Sequence, residues 1–268
     1  MRKLILLIFP LFSMVALEKQ PWFGDVYEFD LHTGYAFDWF RSVDGSLEPL
    51  SSTSYDHMLF ADLEFSMSPQ WSIEIEGELA KTPRQSFGPR SLAFQARYLM
   101  YDDVIGDPFS LAVGANVRYI FPEAVRDVSC PYGANFDFVA NASIGKEIDC
   151  RGDWRFRFWA YGSVGIANEG SPWIRGIAAF ETNCLDVHKW AWFIDAVRGY
   201  GEDTYVDIDN FHGYANVRYH ALDFAVRYGY GLGVWGTFRV EYRRRIKAVR
   251  CPEKVDTIIL SLLIPFSF

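Results

Sequence analysis

The sequence predicts an all-β protein, a transmembrane antiparallel up-and-down β-barrel of about twelve strands, with ten or fourteen as the alternatives. Three observations carry this. Apolar residues recur at every second position over runs of about 11 to 16 residues, a period of two that marks a strand with one greasy face. The chain is rich in aromatics, with 15 Tyr, 23 Phe and 9 Trp. Beyond residue 16, no stretch approaches the ~18 consecutive apolar residues of a membrane-crossing helix.

The first element is not a strand. Met1–Ala16, MRKLILLIFPLFSMVA, has the charged, greasy, small-residue order of a secretory signal peptide. Residues 17–268 are then expected to form one barrel domain. Setting Arg2 and Lys3 aside leaves 24 of the 26 basic residues against 34 acids, a net charge of −10. That balance argues against nucleic acid as a partner.

Strands are expected at 25–40, 56–68, 71–82, 89–102, 108–121, 133–146, 153–167, 172–184, 189–200, 213–233, 237–248 and 255–268. In the first, Tyr27, Phe29, Leu31, Tyr35, Phe37 and Trp39 alternate with Glu28, Asp30, His32 and Asp38. In the third, Trp71, Ile73, Ile75 and Leu79 oppose Glu74, Glu76 and Glu78. In the seventh, Trp154, Phe156 and Phe158 oppose Arg155 and Arg157; in the eleventh, Phe238, Val240, Tyr242 and Ile246 oppose Arg239, Glu241, Arg243 and Arg245. Such lengths suit tilted strands crossing about 25 Å of lipid better than a soluble sandwich, whose strands run nearer six residues. Closure removes the edges that lipid would leave unpaired. The apolar phase slips near His220–Asp223, where a bulge keeps the count at twelve and a hairpin would change it.

The last element, TIILSLLIPFSF, places Ile258, Leu260, Leu262, Ile264, Phe266 and Phe268 on one face. A signal peptide, aromatic alternation and a terminal strand ending in Phe resemble bacterial outer-membrane β-barrel proteins. The resemblance implies that Phe266 and Phe268 form an assembly signal read by the barrel-assembly machinery, and that outer-membrane lipid surrounds the barrel. It implies nothing about what the barrel does.

Charge offers the first functional lead. Residues 24–81 hold 12 acids and two bases, whereas residues 237–254 hold seven bases and two acids. The charged side chains expected to face the lumen are Glu28, Asp30, Asp62, Glu64, Glu74, Glu76, Glu78, Arg97, Arg118, Arg155, Arg157, Arg175, Arg227, Arg239, Arg243 and Arg245. Closure is expected to make the acidic and basic walls neighbours. The result is either a salt-bridged plug, giving a structural surface barrel, or a narrow pore passing a small solute through a transverse field. A ligand-binding surface barrel is a further alternative. No outer connection looks long enough to fold in as a large constriction.

An enzyme is not expected. Gly199, Tyr200, Gly201 and Glu202 make RGYGEDTYVDIDN similar to a short stretch of outer-membrane phospholipase A, which would imply a lipid hydrolase. However, none of the histidines at 32, 57, 188, 212 and 220 has a Ser two positions later, so the family's His-x-Ser pair is absent and no nucleophile–base spacing replaces it. The four cysteines fit no zinc signature, and no metal or cofactor is expected. Cys130 and Cys251, both in outer connections, are the pair open to a disulfide in an oxidising envelope. Cysteine-bearing barrels of this kind resemble those of chlamydial envelopes.

Overall fold

The computed structural model describes residues 19–150 and 153–267. The expected signal peptide and Phe268 lie outside them. Twelve long antiparallel strands close into a barrel. In chain order the strands are β1 (Phe29–Phe40), β2 (Ser42–Val43), β3 (Ser54–Ser68), β4 (Trp71–Lys81), β5 (Gly88–Tyr101), β6 (Ser110–Ile120), β7 (Phe136–Cys150), β8 (Asp153–Ala167), β9 (Trp173–Cys184), β10 (His188–Gly199), β11 (His220–Gly231), β12 (Thr237–Val249), β13 (Pro252–Glu253) and β14 (Asp256–Phe266). The two-residue strands β2 and β13 pair with each other outside the barrel wall. One helical turn, α1 (Pro122–Val125), follows β6.

The alternation in sequence becomes an alternation of exposure. Along β4, Ser72, Glu74, Glu76, Glu78 and Ala80 are buried, while Trp71, Ile75 and Lys81 are exposed. The apolar face is therefore the outer one, the reverse of a soluble barrel and the arrangement a lipid solvent demands. Strand β11 begins at His220, later than expected, because residues 213–219 belong to a loop. The phase slip in that region is a register shift against β12 between Leu222 and Asp223.

The barrel closes where β1 lies between β3 and β14. Phe29 pairs with both Phe65 and Phe266, and its ring centroid lies 4.4 Å from the first and 5.4 Å from the second. This aromatic row crosses the seam between the first and last strands. Phe266→Ser removes about 1.5–3 kcal/mol of apolar burial from it. It is expected to lower several-fold the yield of barrel that migrates as folded on unboiled gels. Ser267→Ala, at an exposed position beyond the strand, is expected to leave that yield unchanged.

Short turns gather at one end of the barrel and longer connections at the other. At the short end, Leu185 and Asp186 both take positive φ in the three-residue connection between β9 and β10. The long end carries 41–53, 121–135 and 200–219.

Candidate functional site

The interior is neither an open pore nor a uniformly packed core. It is closed at the long-loop end by folded connections and occupied at the short-turn end by the chain before β1, with chambers between.

The closure at the long-loop end corrects the expectation that no connection could fold in. Loops 121–135 and 200–219 lie backbone to backbone: the Tyr214 and Ala215 amides donate to the carbonyls of Tyr132 (3.1 Å) and Gly133 (3.0 Å). Gly213 permits this approach, since it has φ +88° and a Cβ there would stand 2.1 Å from the Gly133 oxygen. The Tyr214 hydroxyl donates to Val128 O at 2.7 Å. Val206 bonds both Gly45 and Leu47, tying in loop 41–53. Beneath these bonds Phe40, Val43, Val128, Val206, Phe211, Tyr214, Tyr219 and Cys251 form one apolar cluster. Sequence alone sets Tyr214 and Tyr219 in the strand expected from 213 and leaves Phe211 in a polar connection; the structure puts all three in the closure instead.

The two cysteines open to a disulfide are free thiols in separate clusters. The Cys251 thiol donates to His220 O at 3.4 Å. Burial pushes the Cys130 thiol up to about 11, against the pull of the Arg90 guanidinium.

At the short-turn end, residues 19–24 run inside the barrel. Trp22 is 6% exposed and packs with Trp159, Ile177, Phe193 and Ala225. Its indole Nε1 donates to Asp103 Oδ1 at 2.8 Å. Gly145 makes room for it, since a Cβ there would stand 2.7 Å from the indole edge. Arg97 donates to Gln20 O at 2.7 Å and stands 4.8 Å over the Phe23 ring. Arg157 stands 4.7 Å over Trp22. Sequence reading gave this segment no role, because a single Trp without periodicity carries no pattern.

The charged side chains expected on the lumen lie as follows. Glu76 and Glu78 are buried against Arg118, which bonds Glu76 and lies 3.3 Å from Glu78. Glu74 accepts from Gln95 at 2.8 Å. Glu64 meets Arg97 at 2.8 Å, and Asp62 lies 3.7 Å from His32. Arg157 pairs with Glu147 at 2.6 Å. Arg175 makes two bonds to Asp195, at 2.9 and 2.5 Å. Arg227 and Arg243 share Glu241, at 2.8 and 2.9 Å; Arg243 also reaches Asp195 at 3.4 Å. Arg245 makes two bonds to Asp223. Asp30 lies under Gly24, and Arg239 borders an interior chamber. Glu28 precedes β1 at the rim, where its backbone bonds Asp25 and Ser66.

Two expectations are corrected. Arg155 is exposed, 6.0 Å from the outward Phe156 ring. The register shift opposite Ile148 and Asp149 skips it, as a bulge does. The acidic and basic walls also do not meet across the seam. Strand β14 separates β1 from β12 and turns Thr257, Ile259 and Ser261 inward. Arg243 of β12 therefore takes partners from β10 and its own strand and Arg245 from β11, while the exposed Arg244 meets Asp256 of β14 at 3.3 Å. Of the acids of β3 and β4, Glu64 and Glu74 take partners from β5 and Glu76 and Glu78 from β6, whereas Asp62 faces His32 of β1.

Among the described residues the interior holds chambers of about 210 and 200 Å³, and a smaller one of about 120 Å³ beside Trp22, Asp30 and Asp62. The first lies under the loop closure, reaching Val128, Tyr214 and Cys251. The second lies toward the short turns, between Trp154, Trp159 and Phe193, and carries Arg157, Lys189, Arg227 and Arg239. Lys19, Asp195 and Arg243 belong to the walls of both.

No protein-family model matches the sequence, and none of the curated proteins does. Solved structures match the fold over almost its whole length. The COG4313 outer membrane channel from Pseudomonas putida F1 superposes with a TM-score of 0.67 at 10% identity, covering 95% of this chain and all of that one. The fold is that of solved outer-membrane β-barrels. The NanC porin gives a TM-score of 0.58 at 10% identity, covering 88% of this chain and 98% of its own. The KdgM porin, solved in complex with disordered oligogalacturonate, gives 0.53 at 10% identity, covering 88% and 99%.

Proposed function

We propose that the protein is a narrow, gated outer-membrane channel for small charged solutes. The observation that carries this reading is the pair of chambers in line within the barrel, meeting at Lys19, Asp195 and Arg243. A barrel needing only stability would fill that space with side chains. Here charged groups line it instead, and charged rings are how pores select ions. The likeness of fold to solved channels agrees with this. The apolar outer face meets lipid, and the strand ending at Phe266 is the segment offered to the assembly machinery. The long-loop end faces outward, so residues 19–24 enter from the periplasmic side.

The hydrolase alternative rests on Gly199–Glu202, and a structural role accounts for that stretch. Glu202 exchanges backbone bonds with Asn216 and Arg218, holding loop 200–219 in the closure. His57 and His188 sit on the exposed surface, against the hydroxyls of Tyr35 and Tyr228.

Single-channel recording of the refolded full chain tests the proposal. Small, discrete currents are expected. Changing Arg239 and Arg243 together to Gln is expected to raise cation preference, with the shift shrinking at 1 M salt, where the Debye length is about 3 Å. A silent protein that stays silent when the internal segment is released would overturn the reading. Selectivity unmoved by the two arginines would do the same.

A further inference from the structure

The chamber under the loop closure is lined by polar atoms that the protein does not satisfy. Asp38 Oδ1, Asn116 Oδ1 and Asp137 Oδ1 are buried acceptors without a hydrogen-bond partner. Trp173 Nε1 and Arg243 Nε are buried donors in the same condition, as are the hydroxyls of Ser129 and Ser163. Asp137 is only 2% exposed and Ser163 6%. Buried polar groups in proteins are almost always bonded, so seven such atoms around one cavity mean that something else occupies it. At about 30 Å³ per water, the volume holds about seven waters or one small organic molecule.

The charges are sorted as well as unmet. On the arc from β9 to β12 the chamber meets Arg175, Arg243 and Arg245 against Asp195 and Asp223, a surplus of one positive charge. On the arc formed by β1 and β3–β7 it meets Asp38, Asp56, Glu76 and Asp137 against Arg118, a surplus of three acidic side chains, and Lys19 of the internal segment adds one further basic group to the wall. The side-chain donor to Asp56 is the Ser54 hydroxyl, at 2.8 Å, and a donor to Asp137 is the Gly133 amide, at 3.3 Å; both are neutral. Trp173 and Arg243 offer their unmet donors from the positive arc.

We infer that this chamber binds a small zwitterion of amino-acid size, with its ammonium toward Asp38 and Asp137 and its carboxylate toward Trp173 and Arg243. The inference rests on the channel reading only for the route by which the solute arrives. Other chemistries meet half the wall. An anion would face the acidic arc, a cation would leave the indole and guanidinium donors unmet, and a neutral polyol would satisfy the atoms but not the charges.

Serine, lactate, ethanolamine and glycerol are of similar size and differ in charge, so they separate these cases. Titrated into the refolded full chain in detergent and read by calorimetry, serine is expected to bind at least ten-fold more tightly than each of the others. Asp137→Asn keeps the shape of the wall and Trp173→Phe removes the indole donor, and each is expected to weaken serine binding at least five-fold while the barrel stays heat-modifiable. Equal affinity for glycerol or lactate, no serine binding, or serine binding unmoved by both variants would overturn the inference. Should either variant fail to fold, the ranking of the four solutes on the unaltered protein decides alone. Serine binding without channel current would sink the channel reading and leave this site standing; current without serine preference would do the reverse.

Discussion

Trp22→Ala is expected to raise single-channel conductance several-fold while leaving the barrel wall intact. Trp22 belongs to no strand, and its indole holds residues 19–24 inside the lumen through burial, the bond to Asp103 and the Arg157 contact. An aromatic ring of this size buries roughly 150–250 Å², about 4–6 kcal/mol at 25 cal/mol per Å². Losing most of that shifts the segment from docked to released, and the inner chamber then opens toward the short-turn end. Gly145→Val is expected to act in the same direction, because its side chain would collide with the docked indole.

Acid supplies a third way to loosen the segment. Burial raises the Asp103 carboxyl, but bonds from Ser110, the Glu147 amide and the Trp22 indole, with Lys146 nearby, outweigh it and hold the group below its usual 3.8. The Trp22 bond is the part of this depression that docking itself supplies; it stabilises docking while the carboxylate is charged, and that contribution fades as pH falls through the lowered value. Conductance of the unaltered channel is therefore expected to rise below about pH 3.8, and Asp103→Asn to abolish the rise. Identical currents from the unaltered protein, Trp22→Ala and Gly145→Val would mean that the segment does not obstruct the path.

The barrel was legible because lipid imposes one rule on every strand. Trp71 to Leu79 sets Trp71, Ile73, Ile75 and Leu79 against Ser72, Glu74, Glu76 and Glu78, and the structure buries the second set while the large apolar side chains face out. The phase slip near His220 located the β11–β12 register shift to within a few residues for the same reason. What fills the barrel was not legible. Glu76 shows in sequence only that it opposes Ile75 and Leu79; that its partner is Arg118 on β6 follows from side-chain reach across two strands. Arg155 was misplaced because a bulge shifts the phase of two without leaving a mark in composition. The closure escaped notice because Phe211, Tyr214 and Tyr219 gain their burial from loop-to-loop contacts with no period.

Arg118→Met is expected to destabilise the barrel by about 3–5 kcal/mol, the cost of leaving buried carboxylates without their cation. Glu76 and Glu78 are 0% and 2% exposed, and Arg118 serves both. Its guanidinium also donates to Ser91 Oγ at 2.7 Å and stands 4.7 Å over the Tyr132 ring. Glu78 in turn accepts from the Tyr132 hydroxyl at 2.8 Å and from Ser91 at 2.7 Å. The side chain thus ties the β4–β6 wall to loop 121–135, and its loss is expected to loosen the outer closure as well. The thermal transition of the folded band on unboiled gels, with denaturant unfolding in detergent, measures the first effect. The cause is separated by removing the acids too. If stranded charge is what costs, Arg118→Met combined with Glu76→Gln and Glu78→Gln recovers most of the lost stability, because a neutral buried cluster of similar volume carries little penalty. If lost packing against Tyr132 is what costs, the triple variant stays as unstable as the single one. A single variant within about 0.5 kcal/mol of the unaltered protein, the range of an ordinary surface change, would place Arg118 in water and remove the buried ion cluster from the account of this wall.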